Sequence, residues 1–422
     1  MNTNKIISYA IDFGTSNTLI TAVSKSGVSQ PLPIETSGHA IIKSLLFFNS
    51  DVEVSFGEEA IQQYTENDFE GRFIRSIKKF LPDEKFLGTN INNRNFSIES
   101  LIGSFLREIK TRADKHIGQN VETVVMGRPA KFSMDNQKDK LAEDRLYRAA
   151  KIAGFKEISF LAEPLAAAYD FPENTKAEKI FVIDLGAGTS DFSAVKLLQN
   201  KTSYDVLAIN AVSVAGDAYD GALMDHSIAP HFGTNVHYRL PLTENTLKMP
   251  EDIKYRLRSP ADISFLTRSD IKYFLDDIAK SHIQSGDKKQ IEALQILLED
   301  NLAYDIYSKI EKSKIEVCEN NQSLFSYIYP GINISEDISL SSMENSTIDV
   351  NQKIITAMNE CLDQASMSPK DFDLIVLTGG SCRIPFLSKY FASTFSKEKL
   401  YYSSSFTSVV TGLGIEAKKR YS

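Results

Sequence analysis

Cysteine is scarce in this chain. Among 422 residues there are three, Cys318, Cys361 and Cys382. They stand far apart, with no Cys-x-x-Cys and no neighbouring histidine. That argues against a disulfide framework or a zinc site and fits a reducing, cytoplasmic compartment. Histidine is also thin, at six. His226, His231 and His237 fall close together, but their gaps suit a metal face on neither a helix nor a strand. No apolar run approaches the ~20 residues of a membrane span. Met1-Asn2-Thr3-Asn4-Lys5 leads into no signal-peptide core, because Asp12 interrupts the apolar stretch behind it. An excess of basic charge is missing too. The net charge is −8 and the pI about 5.5, so no global field draws the chain to nucleic acid or to an anionic membrane. Lys78-Lys79 and Lys418-Lys419-Arg420, taken alone, read as solvated faces. What is present is ordinary for a globular protein, 42 % apolar and 24 % charged, with length enough for one large core or two lobes.

The informative residues are glycines beside acids. Ile180-Phe181-Val182-Ile183 runs into Asp184-Leu185-Gly186-Ala187-Gly188-Thr189-Ser190-Asp191, and Phe192-Ser193-Ala194-Val195 leads out. This pattern predicts a β-hairpin with a tight glycine turn. The N-terminus repeats it, with Asp12-Phe13-Gly14-Thr15-Ser16-Asn17-Thr18 between two apolar runs. One such turn is ordinarily just a hairpin. A matching pair, each with an acid at the strand end, points to a duplicated nucleotide-binding lobe. Glycines let backbone N–H groups approach phosphate oxygens, and Thr and Ser hydroxyls donate to them. The aspartates would repel bare phosphate and make sense holding hydrated Mg²⁺. A third glycine turn, Gly379-Gly380-Ser381, follows the buried-type strand Leu374-Ile375-Val376-Leu377-Thr378 and precedes a helical pattern.

Between these motifs the chain alternates strand and helix, which implies mostly parallel sheets in both halves. Ser97 caps an amphipathic helix to Ile117. A strand over 121–126 ends at Gly127-Arg128-Pro129. Asp135 to Ala153 is helical and closes on Gly154, and Pro164 suits a helix start. The region 230–340 reads as an insertion with long polar helices over 269–285 and 288–319. Residues 329–347, rich in Ser, Asn and Glu, read as loops.

In order and spacing, the Asp12 and Asp184 turns, Glu163-Pro164-Leu165-Ala166-Ala167-Ala168 and Gly379 to Pro385 resemble the ATPase domain of the DnaK-type seventy-kilodalton heat-shock proteins. The stretches 125–129 and 145–155 look closest to truncated relatives of the YegD type. The resemblance implies an α/β, two-lobed actin-like ATPase fold. Each lobe would hold a mixed five-stranded sheet with flanking helices and a smaller capping subdomain. Lobe I would span 1–177, with a cap at about 37–96. Lobe II would span 178–422, with its core at about 178–216 and 346–405, a helical insertion at about 217–345 and a C-terminal helix returning toward lobe I.

It also implies roles. Asp12 and Asp184 would hold Mg²⁺ through its waters, with Asp191 in support. Gly14, Thr15, Ser16, Gly186, Ala187, Gly188 and Thr189 would surround the phosphates of ATP or ADP, with K⁺ as an optional further ion. Lys78 would reach the γ-phosphate and Glu163 would position the attacking water. Gly379, Gly380 and Ser381 would support the adenosine, Arg383 would stack on the base, Glu311 and Lys314 would touch the ribose, and Gly216 would open a capping helix. Read alone, Lys78 is a solvated lysine and Glu311 with Lys314 a surface salt bridge. Several positions depart from the pattern. Ala187 replaces a glycine, Pro82 replaces the glycine after the lysine segment, Ala215 replaces the first of two glycines, Ile315 replaces a base-stacking arginine and Cys318 a serine. The sequence stops at Ser422 without a β-sandwich peptide-binding domain. The expected function is a slow Mg-ATPase acting as a switch on a protein partner, as a monomer or weak oligomer. A kinase on the same fold and a nucleotide-binding scaffold with little turnover are the alternatives.

Overall fold

A computed structural model describes residues 5–67, 71–75, 77–168, 177–198, 204–239, 245–281, 283–284, 286–402 and 407–422. The chain divides into two compact units. The first comprises Met1–Ser213, Thr356–Cys382 and Lys389–Ser422; the second comprises Val214–Ile355 and Arg383–Ser388.

The first unit contains two five-stranded sheets. One is built from β1 (Ile6–Phe13), β2 (Asn17–Ser24), β3 (Ile42–Lys43), β4 (Thr123–Arg128) and β5 (Glu157–Ala162), in the order β5-β4-β1-β2-β3. The other is built from β6 (Lys179–Leu185), β7 (Ser190–Leu197), β8 (Tyr204–Val212), β9 (Leu374–Thr378) and β10 (Leu400–Tyr402), in the order β8-β7-β6-β9-β10. The two orders are the same when one is read backwards. In each, the central strand pairs antiparallel with its hairpin partner on one side and parallel with a crossover strand on the other. The repeat seen in the glycine turns therefore extends to whole sheets, and the two-lobed ATPase fold expected from the sequence is the fold observed.

Helices α1 (Ile98–Ile117) and α2 (Asn136–Ile152) cover one face of the first sheet. Ser97 caps α1 by accepting from Ser100 N, and Asp135 caps α2 by accepting from Gln137 and Lys138 N. Their apolar stripes, including Phe105, Ile109 and Leu146, pack on Tyr9, Ile11 and Phe13. The opposite face carries smaller residues. There Ala10, Val23 and Val125 meet α3 (Glu163–Ala168), the C-terminal α4 (Ser408–Tyr421) and Ile180, Val182 and Val376 of the second sheet.

The second unit departs from the sequence expectation in two places. The span 288–319 is not one helix. Asp287–Glu299 and Ala303–Asn320 are separated by Asn301, whose φ of 56° is left-handed and breaks the helix. The span 329–347 is not loop. Ile332–Ser339 pairs with Gln322–Tyr329 as a hairpin, and a helix, Leu340–Ser346, follows. Polar composition hid a strand whose alternate residues, Ile332, Ile334 and Ile338, bury one face. The expected helix over 269–285 ends at Lys280, and positions 282 and 285 lie outside the described residues.

Candidate functional site

Strand alternation brings the acids together. In β1 the side chains of Tyr9, Ile11 and Phe13 enter the core beneath α1 and α2, while Ala10 faces the other cluster and Asp12 follows it on that side. In β6, Ile180 and Val182 face the same cluster, and Asp184 follows them. Two period-two strands thus carry their terminal carboxylates into one neighbourhood.

Each strand ends in the same turn. Gly14 N donates to Asn17 O at 3.0 Å, and Gly186 N donates to Thr189 O at 3.0 Å. A Cβ on Gly14 would stand 2.3 Å from Asn17 O, so the first turn closes only around glycine. Thr15, Ser16, Ala187, Gly188 and Thr189 are half-buried along the two turns. A hydroxyl supports each turn from behind. Ser44 Oγ donates to Gly14 O at 2.9 Å, and Ser381 Oγ donates to Gly186 O at 2.9 Å. The third glycine turn leans on the second. Gly379 has φ +82°, and a Cβ there would lie 2.1 Å from Leu185 O and 3.0 Å from Asp184 Oδ1.

Lys78 lies in a short 3₁₀ segment, Ile77–Phe80, and Glu163 is the first residue of α3. The Lys78 ammonium donates to Glu163 Oε1 at 2.9 Å, with 10 % of its side chain exposed. The reading of Lys78 as a solvated lysine is therefore wrong; Lys79, beside it, is the exposed one. Gly127, near the end of β4, lies beside this pair: a Cβ there would stand 3.2 Å from Leu413 Cδ1 and at ordinary contact distance, 3.4 and 3.7 Å, from Glu163 Cγ and Asp12 Oδ1.

The electrostatics are lopsided. Burial, then repulsion from Glu163, pushes the Asp12 carboxyl up to about 7 against the pull of Lys78. Burial also lifts Asp184 well above the carboxylate range, reinforced by Asp191, Glu163 and Asp12. Burial among the surrounding chains raises Asp191, although its surface still reaches solvent. The Thr189 hydrogen bond, Lys78 and Lys79 oppose that rise. Burial opposes the charge on Lys78, and the surrounding carboxylates more than restore it. Four carboxylates, Asp12, Glu163, Asp184 and Asp191, thus interact with two lysines. The excess of negative charge fits a divalent cation. Among the described residues no three His, Cys, Asp or Glu side chains form a direct metal cage.

The remaining candidates lie in the second unit. Gly216 opens the helix Gly216–Leu223, and Glu311 and Lys314 lie on Ala303–Asn320. Lys314 does not form the surface pair with Glu311. Its ammonium lies 2.8 Å from Asp220 Oδ1 and donates to Gly216 O at 3.3 Å. Asp220 is buried, and burial lifts its carboxyl to about 6 in spite of Lys314. Glu311, Ile315 and Arg383 are exposed.

Of the expected site residues, the structure gathers Asp12, Lys78, Glu163, Asp184 and Asp191 with both phosphate-type turns in the first unit. Sequence reasoning missed Ser44. A lone serine carries no local signal.

The chain spans just over half the length of the curated relatives it matches. It is 25 % identical over 417 residues to the chaperone protein DnaK of Thermotoga petrophila, covering 96 % of this chain and 58 % of that one. It is 24 % identical over 426 residues to the chaperone protein DnaK of Thermosipho melanesiensis, covering 99 % of this chain and 60 % of that one. The family profile described as Hsp70 protein matches residues 81–251 and 271–415. With the repeated sheets, the two acid-led turns and this match over most of its length, the chain belongs to the Hsp70 protein family.

Proposed function

We propose that this chain binds Mg·ATP and hydrolyses it slowly, and that the nucleotide state switches its hold on a protein partner. The observation that carries the reading is the pair of matching turns, Gly14 to Asn17 and Gly186 to Thr189, each led by a half-buried aspartate. Turns of this kind present backbone N–H groups and hydroxyls to phosphate oxygens. Bound Mg²⁺ would neutralise charge on the transferring phosphoryl group, held through its waters by Asp12 and Asp184.

The chain's own residues supply the rest. Glu163, half-buried and unable to donate when ionised, accepts a hydrogen bond from a water and so turns that water's lone pair toward phosphorus. Lys78 is held against Glu163, and in this reading its ammonium meets developing charge on the γ-phosphate oxygens. Asp191, at the solvent side, takes a supporting part. The assignment of Gly216, Glu311, Lys314, Gly379, Gly380, Ser381 and Arg383 to the adenosine rests on the family resemblance. So do the protein partner and any K⁺ requirement.

The deciding experiment supplies Mg·ATP labelled on the γ-phosphate, with and without cell extract. Free labelled phosphate is expected. Label appearing on another molecule would make the chain a kinase, and neither product would leave a nucleotide-binding scaffold.

A further inference from the structure

A buried arginine stands directly behind the lysine segment. Arg145, on α2, is 4 % exposed. Among the described residues it has no carboxylate in ion-pair range. Instead its Nη1 donates to three backbone carbonyls, Leu81 O at 2.9 Å, Asp83 O at 2.8 Å and Phe80 O at 3.3 Å. These follow Lys78 immediately. The turn's own backbone bonds run from Leu81 N to Lys78 O, from Asp83 N to Phe80 O and from Phe86 N to Asp83 O. Among them none reaches Leu81 O, which is left to Arg145. Pro82, in the middle of the turn, has no N–H to contribute.

Desolvating a guanidinium is costly, and an apolar side chain would fill the same space more comfortably. What an apolar side chain cannot do is gather the carbonyls at the end of a 3₁₀ segment, where backbone acceptors outnumber donors. Arg128, at the end of β4, binds Asp139 and Glu143 of the same helix. Helix α2 thereby grips both the lysine turn and the strand end beside Asp12 and Glu163.

We propose that Arg145 is a positioning residue for Lys78: its guanidinium fixes the turn at 80–83 and so holds the Lys78 ammonium against Glu163. The inference deepens the ATPase reading and rests on it for its catalytic consequence. Its structural content, the fixed place of one ammonium, does not.

The test compares the parent with Arg145→Met, Arg145→Lys, Lys78→Ala and the double variant Lys78→Ala/Arg145→Met. Single-turnover hydrolysis of Mg·ATP and affinity by calorimetry are measured separately. Arg145→Met should slow hydrolysis at least about tenfold while affinity stays within about threefold, and Arg145→Lys should fall between it and the parent. The double variant should be no slower than Lys78→Ala, because Arg145 acts through that lysine. Additive losses, or parent-like rates in Arg145→Met, would overturn the proposal. In parallel, the nucleotide-free proteins are treated with an amine-acetylating reagent and each lysine is followed by mass spectrometry. Lys78 should react severalfold faster in Arg145→Met than in the parent, with Lys370 unchanged. Unchanged Lys78 reactivity would overturn the proposal whatever the turnover. A parent that does not hydrolyse ATP would sink the ATPase reading alone, since the acetylation rates still decide the role of Arg145. If Arg145→Met fails to fold, the Lys78 reactivity of Arg145→Lys decides, and a parent-like value counts against the proposal.

Discussion

Lys78 and Glu163 stand 85 residues apart in sequence and 2.9 Å apart in space. The pair joins a short 3₁₀ segment to the first residue of a helix, and both side chains keep little contact with solvent. An ion pair this sheltered holds each partner in one place more firmly than an exposed one would.

Replacement of Lys78 by alanine should leave Mg·ATP bound and slow its hydrolysis by tenfold or more. The loss corresponds to at least about 1.4 kcal/mol of transition-state stabilisation. Rapid-quench measurement with enzyme in excess reads it directly. A parent-like rate would mean that Lys79, exposed next to it, takes over the charge.

Asp184→Asn should have opposite effects on binding and on stability. The half-buried carboxylate faces Asp191, Glu163 and Asp12, so its removal relieves repulsion in the ligand-free protein. The melting temperature without nucleotide should rise by a few degrees, while the Mg²⁺-dependent part of ATP affinity falls. Calorimetry with and without Mg²⁺ checks the second half. Equal affinities under both conditions, in parent and variant alike, would remove the metal role from Asp184.

Gly379→Ala tests the third turn. The backbone there has φ +82°, and a Cβ would stand 2.1 Å from Leu185 O. The left-handed conformation alone costs alanine about 1 kcal/mol, and the clash adds a shift of the strand end that carries Asp184. We expect lower stability together with weaker Mg·ATP binding. A variant with parent-like melting and affinity would show that the turn relaxes freely.

Asp220 gives a pH prediction in the second unit. Its carboxyl is lifted by burial from 3.8 to about 6, with Lys314 pulling the other way. The folded state then binds the proton more tightly than the unfolded chain does. The associated stability is fully present below about pH 4 and is lost as the pH rises through about 6. Carbon-13 NMR of the aspartate carboxyls should place the Asp220 midpoint near 6. A midpoint in the ordinary carboxylate range would mean that the Lys314 ion pair outweighs burial.

Much of this arrangement is legible in the sequence because its signals are local. The strands before Asp12 and Asp184 are short apolar runs, and their turns announce themselves through glycine. The caps of α1 and α2 follow from Ser97 and Asp135. Lys78 is different. Nothing in Ile77-Lys78-Lys79-Phe80 distinguishes a buried, paired lysine from a solvated one, and only the resemblance singled it out. Ser44 and Arg145 have no local signal, since the hydrogen-bond partners of their side chains lie 26 and more positions away. The strand at 332–339 was hidden for another reason. Its outward residues are Asn, Ser and Asp, and composition averaged over the segment masks the isoleucines between them.

The packing of α4 has a consequence for how the protein is made. Its Val409, Leu413 and Ala417 complete the cluster that begins with Ala10 and Val23. A Cβ on Gly412 would stand 1.9 Å from Ala166 O, so the helix seats directly on α3. The first two strands end at Ser24 and α4 begins at Ser408, so a ribosome must synthesise everything between them before this cover exists. Until then the small-residue face of the first sheet stays open to water and to other nascent chains. Contacts of such long sequence separation form late and slowly. The hairpin that carries Asp12 thus waits for a segment translated long after it.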